Sequence, residues 1–518
     1  MGESRTSKSF KNANIALIFY IIGLVLNFIS RKVFIDHLGV DILGLNTIAV
    51  NLLSFLNLAE LGIGAAVSYS LYKPLHNNDR EAIREIITVQ GYFYRRIAYI
   101  VIAASCVLLL FFPLIFKKSD LPLWYAYSTF GVLLLGSLMS YIWNYKQILL
   151  TADQKQYKII ISQHGMTFVK VFFQILAILY FKHNAYIAWL LLEFAFAIIN
   201  TIVLSYVIKK EYSWLTINLK DGKILLKKHK EIISKTKQLF FHRVGGFVLS
   251  QTSPIIIYSY ATLSLVASYG NYVLIVTGLL ALLNAIFNSM SAGVGNLVAQ
   301  GDKERIRQVF WELFSFRFYV VAVSSVTLYY LADPFIILWV GEDYLLSKVS
   351  LILIIATFYI NTLRTIVDSF IQAYGLFRDI WATITESCLN LVFSILLGYY
   401  YGINGVLLGV FISLLFMVHI WKPYFLFTNG LHLNFGRYIR RYALYIFTMG
   451  LLILFDFLVF DTFHKEMSIW QFLMKSVILL SSNGLFLGLL MFIFVAEFRS
   501  FLRRLQAVVT AKLKIAAR

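Results

Sequence analysis

The sequence predicts an all-α integral membrane protein of about fourteen transmembrane helices, in two six-helix lobes followed by two C-terminal helices. Hydrophobic residues make up 59% of the 518 residues, charged residues make up only 14%, and long apolar segments recur along the chain. A typical soluble domain is about 25% charged. The composition therefore excludes an ordinary soluble protein, and the net charge of +20 is only weak evidence for nucleic-acid binding.

The apolar segments are long enough to cross a bilayer, which takes about 20 residues per helix. The first segment follows Arg5, Lys8 and Lys11 and continues without a small-residue cleavage site, so we expect an uncleaved first helix. The predicted spans lie at about 14–35, 42–72, 91–116, 123–150, 158–181, 185–208, 236–260, 266–298, 308–332, 347–374, 380–401, 404–427, 440–460 and 470–496.

The distribution of lysine and arginine predicts the orientation of the chain. Most of the 46 basic residues fall at the termini and in every second connection, which the positive-inside rule assigns to the cytoplasm. We therefore expect a cell-membrane protein with both termini in the cytoplasm. The resulting organisation is a cytoplasmic N-terminus (1–13), an N-lobe (14–208), a basic cytoplasmic linker (209–235), a C-lobe (236–427), spans 13 and 14 (428–496) and a basic cytoplasmic tail (497–518).

Two short motifs recur at equivalent places in the predicted lobes. The hexapeptide DREAIR (79–84) follows the second span, and DKERIR (302–307) follows the eighth. Similarly, Asn184 opens the sixth span and Asn404 opens the twelfth. Repeats that enter the membrane from the same side indicate two bundles related by an axis along the membrane normal, around a central cavity.

Glu60 is the most prominent candidate residue, because it lies near the middle of the apolar stretch 42–73. An ionised group at mid-membrane costs at least ~2.5 kcal/mol. The glycines Gly62 and Gly64 follow it and allow close helix approach. Glu60 therefore either lines a polar path or joins two helices. As one helix the stretch is about 46 Å long, so it must tilt or project beyond the roughly 30 Å hydrocarbon layer.

Other polar groups inside the predicted spans are candidates for substrate binding. Arg364 and Asp368 lie four residues apart and can instead neutralise each other. Arg31 can instead reach the outer headgroups. If basic groups of both lobes face one cavity, they suit an anion with several charges, because arginine binds phosphate through two hydrogen bonds. The candidate substrate-binding set is Arg31, Asn51, Glu60, Lys170, Arg243, Asn361, Arg364 and Asp368.

Several signals of catalysis or cofactor binding are absent from the sequence. There is no G-x-x-x-x-G-K-[ST] phosphate loop and no His/Cys cluster with zinc spacing. The two cysteines, Cys106 and Cys388, lie in apolar runs and predict buried thiols rather than a disulfide. We therefore expect neither a metal nor a cofactor.

Four segments resemble the polysaccharide repeat-unit flippases of the multidrug/oligosaccharidyl-lipid/polysaccharide flippase superfamily. The most specific is LGVDILGLNTIAVNLLSFLNLAELGIGAAVSYSLYKPL (38–75), the second-helix signature. The other three are VGNLVAQGDKERIRQVF (294–310), LWVGEDYLLS (338–347) and ESCLNLVFSILLGYYYGINGVLLGVFIS (386–413). The resemblance implies fourteen helices, two lobes around a cavity, and alternation between inward-open and outward-open states.

The resemblance also implies a substrate, namely oligosaccharide units on undecaprenyl diphosphate, carried to the outer leaflet for capsule, exopolysaccharide or O-antigen assembly. It implies membrane lipids and glycan polymerase machinery as partners, and no nucleic acid. Lipid II flippases of the superfamily use cavity arginines, for which Arg31 is the best positional match and Arg243 a looser one.

Two other functions remain open at this stage. A cation-coupled exporter of small solutes or drugs would use Glu60 as its ion site. An integral membrane glycan polymerase or ligase would need a large external loop, whereas the predicted external loops have at most about a dozen residues.

Overall fold

The computed structural model describes residues 5–60, 62–376, 380–460 and 467–516. Within these ranges every regular element is a helix and no strand occurs, so the predicted all-α class is confirmed. The chain divides into two compact units, Met1–Ala267 and Ser268–Arg518. Residues 236–267, which the sequence predicts in the C-lobe, belong to the first unit in this division.

The first unit contains α1 to α13 and the beginning of α14, which continues into the second unit. Their bounds are α1 (Arg5–Leu38), α2 (Val40–Leu56), α3 (Ile63–His76), α4 (Arg80–Leu110), α5 (Phe112–Ile115), α6 (Leu123–Ile142), α7 (Gln147–Ala152), α8 (Gln156–Ile159), α9 (Gly165–Tyr180), α10 (Ala185–Glu211), α11 (Gly222–Lys228), α12 (Lys230–Gln251), α13 (Ser253–Tyr260) and α14 (Leu263–Gln300).

The second unit contains the rest of α14 and seven further helices. They are α15 (Lys303–Trp339), α16 (Lys348–Ala373), α17 (Ile380–Leu414), α18 (Lys422–Asn429), α19 (Phe435–Phe460), α20 (Ile469–Phe494) and α21 (Ala496–Ala516). A π-helical segment, Leu415–Trp421, joins α17 to α18.

Eleven helical segments in the described part of the chain are long and apolar enough to cross a membrane. The chain is thus a multi-pass membrane protein. Three features explain why this number is below about fourteen. The second predicted span is divided into α2 and α3, the seventh is divided into α12 and α13, and the eleventh and twelfth form one continuous segment, Trp381–Asn429.

That continuous segment reverses direction at Gly402, whose φ of +57° is in the left-handed region. Ser394 Oγ donates to the carbonyl of Val406 at 3.0 Å, so the residues on either side of the bend pack together. A Cβ on Gly405 would lie 1.9 Å from the carbonyl oxygen of Leu397. Glycine is therefore required for this close backbone approach, and the segment consists of two packed helices.

The repeated hexapeptides have the same structural role in the two units. Asp79 Oδ1 accepts from the backbone N–H of Ala82 at 3.0 Å, at the start of α4. Asp302 Oδ1 accepts from the backbone N–H of Arg305 at 3.1 Å, at the start of α15. Each aspartate is thus an N-cap, which satisfies one of the backbone donors that a helix leaves open at its first turn.

The linker and the tail both pack against helices rather than extend away from them. In the linker, Lys228 Nζ lies 2.7 Å from Glu85 Oε1 of α4, and this contact raises the pKa of Lys228. In the tail helix α21, Arg504 donates to Glu312 Oε2 of α15 at 2.8 Å. The predicted linker and tail are therefore each held to a helix by an ion pair.

The cysteines correct one expectation about burial. Cys106 and Cys388 are free thiols, as the sequence predicts, but both are exposed on the protein surface rather than buried. An apolar helix surface in a membrane contacts lipid instead of other helices, so hydrophobic sequence context there does not imply burial.

Candidate functional site

The second predicted span is broken at the position of its carboxylate. Helix α2 ends at Leu56, a 3₁₀ turn covers Asn57–Glu60, and α3 begins at Ile63. Gly62 precedes α3 with φ of +92°, a left-handed conformation that glycine adopts without steric cost. The prediction of one continuous, tilted helix is therefore wrong. Broken helices are tolerated at membrane depth only where the backbone is buried in protein or lines a polar cavity.

Hydroxyl groups of neighbouring helices bind the polar side chains of this break. Tyr94 of α4 donates to Glu60 Oε1 at 2.7 Å. Tyr141 and Ser137 of α6 donate to Asn57 Oδ1 at 2.7 and 3.0 Å. Within the described residues, Glu60 has no basic partner at salt-bridge distance. Its carboxylate is therefore held by a neutral donor, the hydroxyl of Tyr94.

A second polar group of the first unit is an ion pair between α9 and α10. Lys170 Nζ lies 2.7 and 2.9 Å from the two carboxylate oxygens of Glu193. Gln174 Nε2 also donates to Glu193, at 2.8 Å. The positive charge of Lys170 is thus compensated by a carboxylate of the neighbouring helix. This predicted substrate-binding residue therefore takes part in an ion pair that joins α9 to α10.

Two of the remaining candidates of the first unit donate to backbone carbonyls. Arg31 donates to the backbone carbonyl of Ala267 at 2.9 Å. Asn51 is buried and donates to the carbonyl of Thr47 in its own helix at 2.8 Å. Arg243 belongs to α12, but its side chain lies outside the described residues.

The second unit brings four charged side chains into one cluster. Arg364 Nε lies 3.2 Å from Asp368 Oδ2, and Arg364 Nη1 lies 3.5 Å from Glu386 Oε1. Lys422 Nζ lies 2.7 Å from Asp368 Oδ1. Two cations thus face two carboxylates, and Asn361 Oδ1 accepts a further bond from Arg364 at 3.4 Å. We name Arg364, Asp368, Glu386 and Lys422 the charge tetrad.

Sequence reasoning finds half of this tetrad. The spacing of Arg364 and Asp368 reveals their pairing, because residues four apart share a helix face. Lys422 lies 54 residues from Asp368, at the end of a helix. A basic side chain at such a position is usually interpreted as one that reaches the lipid headgroups. No signal in the sequence links the two. For the same reason the tyrosine partners of Glu60 and Asn57 are not predictable.

An apolar cavity of about 870 Å³ lies in the second unit between α15, α16 and α19. A hydrogen bond of 2.8 Å between the hydroxyls of Tyr359 and Tyr442 lies at its wall. The ring of His419 lies against Tyr442, with centroids 4.7 Å apart. The cavity therefore presents an apolar surface with a small polar group, which suits an amphiphilic chain. Among the described residues, no group of three or more His, Cys, Asp or Glu could hold a metal.

Comparison with known proteins identifies the fold. No family model matches the sequence, and no curated protein matches it. The chain is similar in structure to the lipid II flippase MurJ in an inward closed conformation, with a TM-score of 0.63 and 16% identity over 91% of this chain and 97% of that chain. At such low identity the similarity establishes the fold alone.

Two multidrug resistance MATE family transporters of the MOP superfamily are also similar in structure. The inward-facing one has a TM-score of 0.58 and 11% identity over 80% of this chain and 97% of that chain. The outward-facing one has a TM-score of 0.51 and 12% identity over 81% of this chain and 94% of that chain. The chain thus has the fold of a class of membrane transporters and flippases.

Proposed function

We propose that this protein is a flippase, not an enzyme, and that it carries oligosaccharide repeat units linked to undecaprenyl diphosphate from the inner to the outer leaflet. Its product would enter capsule, exopolysaccharide or O-antigen assembly. The observation that carries the proposal is the structural similarity to a lipid II flippase over 91% of the chain. The segment 38–75, with the polar break around Glu60, supports it from the sequence side.

The cationic candidates have separate roles in this proposal. A bare diphosphate is very costly to move through hydrocarbon, so it needs cationic donors. A guanidinium has five N–H donors in a planar fork, which suits the several oxygens of a diphosphate. We assign Arg31 and Arg243 to the diphosphate. Lys170 and Arg364 already have carboxylate partners and can bind phosphate only by exchanging them.

The apolar cavity beside α19 supports a lipid-linked rather than a water-soluble substrate. We assign part of the polyprenyl chain to it. A Cβ on Gly450, which lines the cavity, would meet open space, so Gly450→Trp can fill the cavity without a backbone clash. Export of surface glycan should fall in Gly450→Trp. The matched control is Gly131→Trp on α6, where a Cβ also meets open space but which does not line this cavity.

The main experiment uses a deletion strain that is complemented with variants of the full chain. Arg31→Ala should reduce surface glycan by about ten- to a hundredfold, because a charge-assisted hydrogen bond contributes about 1.5–3 kcal/mol. Lipid-linked oligosaccharide should accumulate inside the cell. The matched control is Lys32→Ala, because Lys32 is adjacent, exposed and paired with Asp36 at 3.2 Å. Equal glycan in both variants, at equal membrane abundance, counts against the proposal.

A second candidate function is cation-coupled export of a small solute. The similarity to two MATE transporters and the neutral partners of Glu60 favour it. It predicts that a deletion strain becomes sensitive to toxic compounds while its surface glycan is unchanged. Accumulation of lipid-linked oligosaccharide in the same strain would reject this alternative.

A further inference from the structure

A buried carboxylate that none of the predicted sites includes lies in the last two spans. Asp456 of α19 and Asn483 of α20 both have 0% exposure. Asn483 Nδ2 donates to Asp456 Oδ2 at 2.9 Å and to Thr327 Oγ1 of α15 at 3.2 Å. Phe455 and Phe486 stack beside them with centroids 4.2 Å apart. The acid therefore lies where three helices are packed closely together.

Asp456 has no cation beside it within the described part of the chain. The bond from Asn483 is its one hydrogen bond there. Lys475 lies eight residues from Asn483 along α20, a distance of about 12 Å. Asp333 of α15 is committed to Lys348, at 2.7 Å. Tyr319 of α15 donates to the backbone carbonyl of Gly484, the residue after Asn483, at 3.0 Å. Further titratable side chains of these helices include Arg317, Tyr329 and Tyr330 of α15 and Tyr442 and Tyr445 of α19.

The burial makes an ionised Asp456 unfavourable. A charged carboxylate that is removed from water costs several kcal/mol, and one neutral amide bond compensates only part of this cost. Glu386 of the charge tetrad is buried to a similar extent, at 1% exposure, but it has Arg364 as a partner. Asp456 therefore needs another source of positive charge.

Two oxygen atoms of Asp456 and Asn483 indicate that a proton supplies this positive charge. Asp456 Oδ1 and Asn483 Oδ1 are both buried, and neither has a hydrogen-bond partner. Both are acceptors when the acid is ionised. A proton on Asp456 Oδ1 converts this atom into a donor, and Asn483 Oδ1 is the complementary acceptor. Together with the existing N–H···O bond, a hydrogen bond between these two oxygens would complete a cyclic acid–amide pair without a charge.

We propose that Asp456 and Asn483 form a buried proton-binding site, occupied by a proton in the conformation described here. Release of the proton leaves a carboxylate with one amide donor between α15, α19 and α20. Deprotonation and loosening of these three helices are therefore coupled. The ligand is a proton, and the proposal does not depend on the nature of the transported substrate.

The test is infrared spectroscopy of the full-length protein in lipid nanodiscs, with the C=O stretching band of a neutral carboxylic acid as the readout. Wild type should show this band at neutral pH, and Asp456→Asn should lack it. Asp456→Asn conserves the shape of the side chain and can form an amide–amide pair. Asn483→Leu should keep the band but move it to higher frequency, because the acid loses its amide partner.

The matched control is Asp333→Asn, because Asp333 is also buried but is ion-paired with Lys348. It should leave the carboxylic-acid band unchanged. The proposal is overturned if Asp456→Asn removes only carboxylate bands at neutral pH. It is also overturned if added Na⁺ shifts those bands in the wild type, because a metal ion then occupies the pair. Neither readout requires transport, so it is independent of the flippase assay.

Discussion

Glu60 in the first unit and Glu386 in the second are both carboxylates within membrane-spanning segments, but their partners differ. Glu60 accepts from the hydroxyl of Tyr94, whereas Glu386 faces the guanidinium of Arg364. A hydroxyl can donate to a charged or a neutral acid, so the bond from Tyr94 does not depend on a charge on its partner. Neutralisation of Glu386 would leave the buried guanidinium of Arg364 with less compensation. The first arrangement suits a group that changes state, and the second suits a structural connection.

The largest expected effect comes from breaking the charge tetrad. Arg364→Ala leaves Glu386 buried without its cation, which costs about 3–5 kcal/mol. The thermal unfolding midpoint in detergent should fall accordingly. Arg364→Ala/Glu386→Gln should recover part of the loss, because the orphaned charge is then removed. An unchanged midpoint in the single variant would show that Glu386 is compensated by another group.

The next largest effect tests the charge of Glu60 directly. Tyr94→Phe removes the donor to a carboxylate and should cost about 1.5–3 kcal/mol if that carboxylate is ionised. Tyr141→Phe removes a donor to the neutral amide of Asn57 and should cost about 0.5–1.5 kcal/mol. Denaturation of both variants under the same conditions measures the difference. Equal costs would mean that Glu60 is neutral. The difference between Glu60 and the arginine-paired Glu386 would then be larger.

A smaller effect concerns the backbone of the break. Gly62→Ala forces an L residue into a left-handed conformation and should cost about 1–2 kcal/mol. Gly64→Ala is the matched control, because it lies inside α3 and its Cβ would meet other atoms only at 3.8 Å. If both variants have the same unfolding midpoint, the break does not depend on the conformation of Gly62.

The smallest effect on stability is expected for Glu60→Gln. The amide oxygen still accepts from Tyr94, so the unfolding free energy should change by less than about 1 kcal/mol. Transport should nevertheless fall if Glu60 changes its charge during the cycle. Surface glycan in the complemented deletion strain measures this. Full transport with unchanged stability would assign Glu60 a structural role only.

The sequence predicts the class of the protein and several local features correctly. Length, composition and repeated apolar segments predict a multi-pass helical protein. The recurring hexapeptides DREAIR and DKERIR have equivalent structural roles, since Asp79 and Asp302 each cap a helix start. The i,i+4 spacing of Arg364 and Asp368 anticipates their ion pair for a similarly local reason.

The break in the second span is harder to predict from the sequence. The run 42–73 is apolar enough for one helix, and single glycines are common in transmembrane helices. The break depends on Tyr94, Tyr141 and Ser137, which supply hydrogen bonds to Asn57 and Glu60 from distant parts of the chain. The exposed cysteines show the same limit, since hydropathy does not separate a lipid-facing surface from a protein-facing one.

By itself the sequence determined that this chain enters a membrane as many helices, because that outcome follows from the transfer energy of each segment taken alone. It also placed rare charged groups inside those segments. Only the tertiary structure decided which groups are compensated and by what: a lysine for Glu193, an arginine for Glu386, a hydroxyl for Glu60 and one amide for Asp456. The physical reason is that electrostatic compensation depends on distances between helices, which the order of residues along one helix does not specify.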